Sequence, residues 1–204
     1  MMTISQLKMV FKTHAKRSSF ISEYKYFGED KNEEFYTGFI NNSINETRSK
    51  KQEDAIELSI ALRYYSDQYV DAITQLVKSR RSEWMKLLCL DWLFNFYKEV
   101  PKEVFIDLND WITSKTKTDI LKLQATLNLI LADQNYDVGK SNLPDLLNTT
   151  SDHALFYRLI NVLNNNSMRR FKSQMKTMML SSLETNTNLT ESQIEALKAQ
   201  IFKT

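Results

Sequence analysis

The sequence predicts an all-α fold, and three observations carry that expectation. Only three glycines and two prolines occur in 204 residues, where average usage would supply roughly 14 and 10. Sheet proteins spend both residue types on their turns, so such poverty favours long helices. Apolar residues recur at helical spacing along most of the chain, most clearly over residues 54–183. Helix-start chemistry falls in register with that pattern: Thr118-Asp119, Ser151-Asp152 and the capping box Thr190-Glu191-Ser192-Gln193 each precede an apolar run. The length is ample for a continuous core.

From the N-terminus, helices are expected near residues 3–17 and 30–43, joined by an aromatic segment with Phe20, Tyr24, Tyr26 and Phe27. Glu29, Asp30, Glu33 and Glu34 suit the first turn of the second helix, where the helix dipole favours negative charge. The polar stretch 41–51 reads as a mobile loop. Beyond it the stripes fall into pairs. First members carry an i, i+4, i+7 stripe at Leu58-Leu62-Tyr65, Leu123-Leu127-Ile130 and Leu155-Leu159-Val162, while Leu88-Trp92 begins one that Asn95 interrupts. Second members carry i, i+4, i+7, i+8 at Tyr69-Ile73-Leu76-Val77, Val104-Leu108-Trp111-Ile112 and Phe171-Met175-Met178-Met179, with a shortened Leu143-Leu147 in the third pair. Pro101 suits the start of a helix, and Gly139 and Pro144 punctuate the third pair. The run 83–97 is apolar nearly all round, with Asp91, Asn95 and Lys98 as its thin polar stripe, so it is expected at the centre of the fold. The chain therefore divides into an N-terminal helical cap (1–53), four degenerate helix pairs (54–183) and a C-terminal capping helix (184–204), within one structural domain.

Leu58, Leu88, Leu123 and Leu155 mark equivalent points at spacings of 30, 35 and 32 residues. Paired helices in tandem at this interval resemble HEAT-like and armadillo-like helical-repeat proteins. The resemblance covers about two-thirds of the chain and rests on the stripes rather than on a signature. Neither the Trp-Leu-Gly pattern of tetratricopeptide repeats nor the Thr-Pro-Leu-His of ankyrin repeats is present. It implies a short right-handed stack of antiparallel helix pairs, a small α-solenoid, with one face open to a partner. The alternative is an irregular helical bundle whose stripes imitate repeats.

Composition narrows the chemistry. Basic and acidic side chains number 27 and 25, a net charge of +2, so the whole-molecule field gives no strong pull toward nucleic acid or anionic membrane. Cys89, the one cysteine, sits in an apolar run and fits a reducing compartment or a small buried side chain. No signal-peptide core or membrane span is expected, which suits a cytoplasmic protein. His14 and His153 lack Cys or carboxylate neighbours at metal-ligand spacing, so no metal site is expected. Phosphate-cradling glycine motifs and a Gly-x-Ser-x-Gly elbow are also missing, and no cofactor is expected.

Two basic clusters stand out. From His153 through Leu183 there is no Asp or Glu, whereas Arg158, Arg169, Arg170, Lys172 and Lys176 occur there; Lys78, Arg80 and Arg81 form a shorter cluster. If the pairs stack, these residues line an edge and offer contacts to carboxylates or phosphates; the bland reading is a solvated face with helix-end cations. Met168, Met175, Met178 and Met179, like Trp84, Trp92 and Trp111, coincide with apolar stripes and read as packing. The expectation is a non-enzymatic protein-binding scaffold, adaptor or inhibitor of the immunity type, in a chain whose Asn and Lys content suits a bacterial or phage genome. The alternative is nucleic-acid binding through residues 158–176. Among enzymes, some HEAT-like bacterial proteins are alkylpurine DNA glycosylases, for which Asp91 between Trp84 and Trp92 is the local candidate.

Overall fold

The computed structural model describes residues 30–46 and 49–204. The expected helix near 3–17, His14, Glu29 and the aromatic segment at 20–27 lie outside the described residues. Those described form ten α-helices and two short 3-10 turns, with no strand among them. The all-α expectation holds. The chain divides into two compact units, one ending at Val100 and the other beginning at Pro101.

The first unit contains α1 (Asp30–Ser43), α2 (Ser49–Leu62), α3 (Gln68–Lys78) and α4 (Glu83–Asn95). Helix α1 packs on α2, and both α2 and α3 pack on α4. The stretch read as a loop from residue 41 is shorter than expected, because α1 runs to Ser43 and α2 starts at Ser49. Burial explains the difference: Ser43 and Ile44 are enclosed, and the buried Gln52 amide donates to the Ile44 carbonyl at 3.2 Å. Helix α2 ends through Arg63, whose φ of 52° places a non-glycine residue in the left-handed region. That conformation lets the Tyr64 N–H return to the Ser59 carbonyl at 2.9 Å, closing the helix end. Helix α4 starts at Ser82, whose hydroxyl accepts from the Met85 N–H.

Trp92 anchors this unit and is fully enclosed. Its ring lies 5.7 Å from Tyr65 in a stacked pose, 4.8 Å from Phe96 and 6.5 Å from Tyr69 edge-on. The indole N–H donates to the Ser59 hydroxyl at 2.8 Å, and that hydroxyl donates to the Tyr64 carbonyl at 2.6 Å. One small polar side chain thus satisfies two groups that burial would otherwise leave unpaired.

The second unit contains α5 (Lys102–Lys115), α6 (Asp119–Ala132), α7 (Leu143–Thr149), α8 (Ala154–Leu163), α9 (Lys172–Thr185) and α10 (Glu191–Lys203). Helices α5 and α6 form a close hairpin; α6 packs on α7 and α8, α7 on α9, and α10 on α8 and α9. Buried residues run from Leu123 to Leu131 without interruption, so α6 is enclosed on every side. The sequence-based choice of a central helix, residues 83–97, fits α4 within the first unit, and α6 plays that part in the second. Polar residues at 124, 126 and 128 masked the signal in α6. They are paired inside: Gln124 donates to Asn128 at 2.9 Å, and Thr126 donates to Asn109 of α5 at 3.1 Å. The helices assigned by periodicity to the second pair, α4 and α5, fall in different units.

The capping box at Thr190 forms as expected. Asp152 accepts from the Ala154 N–H at 2.9 Å just ahead of α8. Thr118 occupies the N-cap position of α6 without a side-chain cap bond.

Candidate functional site

The basic residues separate into structural ties and exposed cations. Arg81 donates from Nη2 to Gln52 Oε1 at 3.1 Å, joining the loop after α3 to α2. Lys78 closes the last turn of α3, and Arg80 is exposed beside it. In the second unit Arg158 donates from Nε and Nη2 to Gln124 Oε1, at 3.1 and 2.7 Å, and Gln124 is 2% exposed. Arg170 reaches Gln134 Oε1 at 3.1 Å and covers the ring of Phe171. Arg169, Lys172 and Lys176 form no ion pair among the described residues. Of the expected cluster, Arg169, Arg170, Lys172 and Lys176 are therefore contiguous on the 3-10 turn 166–171 and on α9, whereas Arg158 and Arg81 are committed to packing. The Lys78-Arg80-Arg81 group belongs to the first unit and the others to the second.

A different feature of the second unit was not read from the sequence. An open cavity of about 490 Å³ lies between α9 and α7, lined by Gln174, Thr177, Met178, Ser181, Ser182 and Thr185 of α9 with Pro144, Asn148 and Gly139 opposite. None of the lining side chains is charged. Lys172 and Lys176 project from the far side of α9, roughly half a turn around from Ser181 at 100° per residue. Thr185 donates to Asn148 Oδ1 at 3.0 Å, and Gln174 Nε2 donates to Asp137 Oδ1 at 3.1 Å, bracing the rim. Ser182 is 3% exposed and lies at the floor of α9's packing side. The signal existed as an uncharged 4-3-4 spacing at Gln174, Met178, Ser181 and Thr185. A Ser/Thr/Gln flank also describes an ordinary solvated face, and only the position of α7 distinguishes the two. Met168, Met175 and Met179 are core as expected, whereas Met178 lines the cavity.

Titratable groups behave as packing elements. Burial pushes the Cys89 thiol well above its ordinary range. The Tyr65 phenol is raised, first by burial and then by its 2.7 Å bond to Asp67. The Lys102 ammonium, 2.9 Å from Asp133, holds that carboxyl below its usual value. His153 is exposed ahead of α8, with Nδ1 at 3.2 Å from Gln193 Nε2. Among the described residues no cluster of His, Cys, Asp and Glu has a metal-holding arrangement, and no helix is long and apolar enough to cross a membrane. Of the aromatics read as packing, Trp92 is buried, Trp111 half-buried and Trp84 58% exposed at the start of α4. Trp84 departs from expectation because it lies on the outward face of the first turn of α4, beside Met85, which is buried on the inward face. Trp92, facing Tyr65 and Phe96, has no open ring surface beside Asp91.

No family model matches the chain, and no curated protein or solved structure matches it.

Proposed function

We propose that the protein is a non-enzymatic binding module, an adaptor or inhibitor acting on another protein in the cytoplasm, built on helix pairs of the HEAT-like kind. The observation that carries this reading is the open, uncharged cavity between α7 and α9, set apart from the basic side chains of the same unit. A surface meant for nucleic acid places its cations where phosphates dock. Here the concave feature is walled by hydroxyls, amides and Met178, a composition suited to adaptable protein contacts. The experiment is affinity purification of the tagged protein from its host, with and without nuclease, at low and high salt. A stoichiometric protein retained through nuclease and high salt, and lost in Met178→Glu but not in Lys172→Glu/Lys176→Glu, supports the reading.

One observation favours a second reading. Arg169, Lys172 and Lys176 have no acidic partner among the described residues and lie on consecutive turns, where they could neutralise phosphates. Nucleic acid captured at low salt, released at high salt and abolished by Arg169→Glu/Arg170→Glu would replace the first reading with this one.

A further inference from the structure

We infer that the contact between His153 and Gln193 is a proton-sensitive latch, which holds the first turn of α10 against the start of α8 while the imidazole is neutral and releases it when the ring takes a second proton. The atoms fix the direction of every bond in it. Thr190, the N-cap of α10, gives its backbone N–H to Gln193 Oε1 at 2.9 Å, and its hydroxyl accepts from the Gln193 backbone N–H. A backbone N–H only donates, so the amide oxygen of Gln193 must face Thr190 and the amide nitrogen must face His153. That nitrogen, Nε2, lies 3.2 Å from His153 Nδ1. An amide nitrogen also only donates, so Nδ1 accepts and the neutral ring carries its proton on Nε2.

A second proton sits on Nδ1 and sets two donors against each other. Turning the Gln193 amide over relieves that clash only by pointing its N–H groups at the Thr190 N–H, which breaks the capping box. His153 also occupies the N-cap position of α8, where the positive end of the helix dipole disfavours a cation. Protonation and the closed latch exclude each other, so the latch is firm at neutral and alkaline pH and weakens as the pH falls. Among the described residues no carboxylate is ion-paired to the imidazole to offset this. On its own turn Asp152 is engaged by the Ala154 N–H, and Tyr157 meets the ring edge-on at 5.9 Å. On α10, Glu191 is exposed and Glu195 is bonded to Lys198 at 3.3 Å. Helix α6 bears the pair Lys122–Asp119, Arg158 turns to Gln124, and Arg169 and Arg170 lie beyond the opposite end of α8.

The test uses the full chain and two NMR readouts. A long-range proton–nitrogen correlation at about pH 8 should place the His153 ring proton on Nε2; a proton on Nδ1 would overturn the inference. Hydrogen exchange then follows the amides of Gln193 and Ile194, which bond to the Thr190 hydroxyl and carbonyl. Their protection factors should fall about three- to tenfold between about pH 7.5 and pH 5, relative to amides of the α5–α6 hairpin. Two variants separate the latch from general loosening in acid. Gln193→Glu keeps the capping box, since Glu serves equally at that position, and offers an acceptor to the imidazolium, so protection should rise as the pH is lowered. His153→Asn places an acceptor oxygen near the position of Nδ1 and suits an N-cap, so protection should stay insensitive to pH. Equal falls in all three proteins, or no fall in the unmodified one, would overturn the inference.

Discussion

Arg158 of α8 donates twice to the side-chain carbonyl of Gln124 on α6, making a cation from the acid-free segment into an internal strut. Gln124 passes the interaction on to Asn128, so three polar side chains are joined where α6 is otherwise sealed in hydrocarbon. Removing the guanidinium leaves a buried acceptor unsatisfied. Arg158→Ala should therefore lower unfolding free energy by about 1–3 kcal/mol, whereas Lys176→Ala should change it by less than about 0.5 kcal/mol. Urea unfolding followed by circular dichroism compares the two, and equal effects would refute the structural role.

Cys89 has no exposed surface, and desolvation disfavours its thiolate. The native protein should resist a thiol reagent such as DTNB at pH 8 and react stoichiometrically after denaturation. Rapid labelling of the folded chain would show that the first unit opens readily around α4.

Asp133 caps the end of α6 while paired to Lys102 at the start of α5. Because its carboxyl is held below the ordinary value of 3.8, its contribution is fully present above that pH and is lost as pH falls through the lower folded-state value. Asp133→Asn should flatten the stability profile in that acid range and lower stability at pH 7 by the same amount, a small one because Lys102 is well exposed and the pair is screened. Thermal midpoints measured from pH 2 to 7 give the comparison; identical slopes in both proteins would contradict it.

Arg63 holds a left-handed conformation at an exposed helix end. Glycine adopts that conformation without steric cost, so Arg63→Gly should be neutral or stabilising by up to about 1 kcal/mol. Calorimetry would detect the shift, and a clear loss of stability would mean that the arginine side chain contributes more than its backbone costs.

Much of the helix pattern is legible in the sequence because its evidence is local. The Thr190 capping box, the break around Gly139 and the apolar face of α8 depend on neighbours within a turn or two. Partner choice between helices is not local. The pairing of Ser59 with Trp92 spans 33 residues and that of Gln124 with Arg158 spans 34, and each buried polar residue looks, in sequence, like a gap in an apolar stripe. The same ambiguity hid the cavity: Ser181 and Ser182 are adjacent, yet one is exposed and the other enclosed. The basic residues were visible as charges, but composition does not tell Arg158, bonded inward, from Lys172.

Asn186, 5% exposed, gives both side-chain N–H groups to the carbonyls of Leu147 and Thr150, at 2.7 and 2.9 Å, and accepts the N–H groups of Asn188 and Leu189 on its oxygen. This corner distinguishes nitrogen from oxygen, not one shape from another. Deamidation would swap that nitrogen for an oxygen and set a carboxylate against two carbonyls, so chemical ageing at one atom would unfasten the turn between α9 and α10. Asn186→Asp mimics that lesion, and a melting temperature equal to that of the unmodified protein would show that the corner does not depend on the polarity of its bonds.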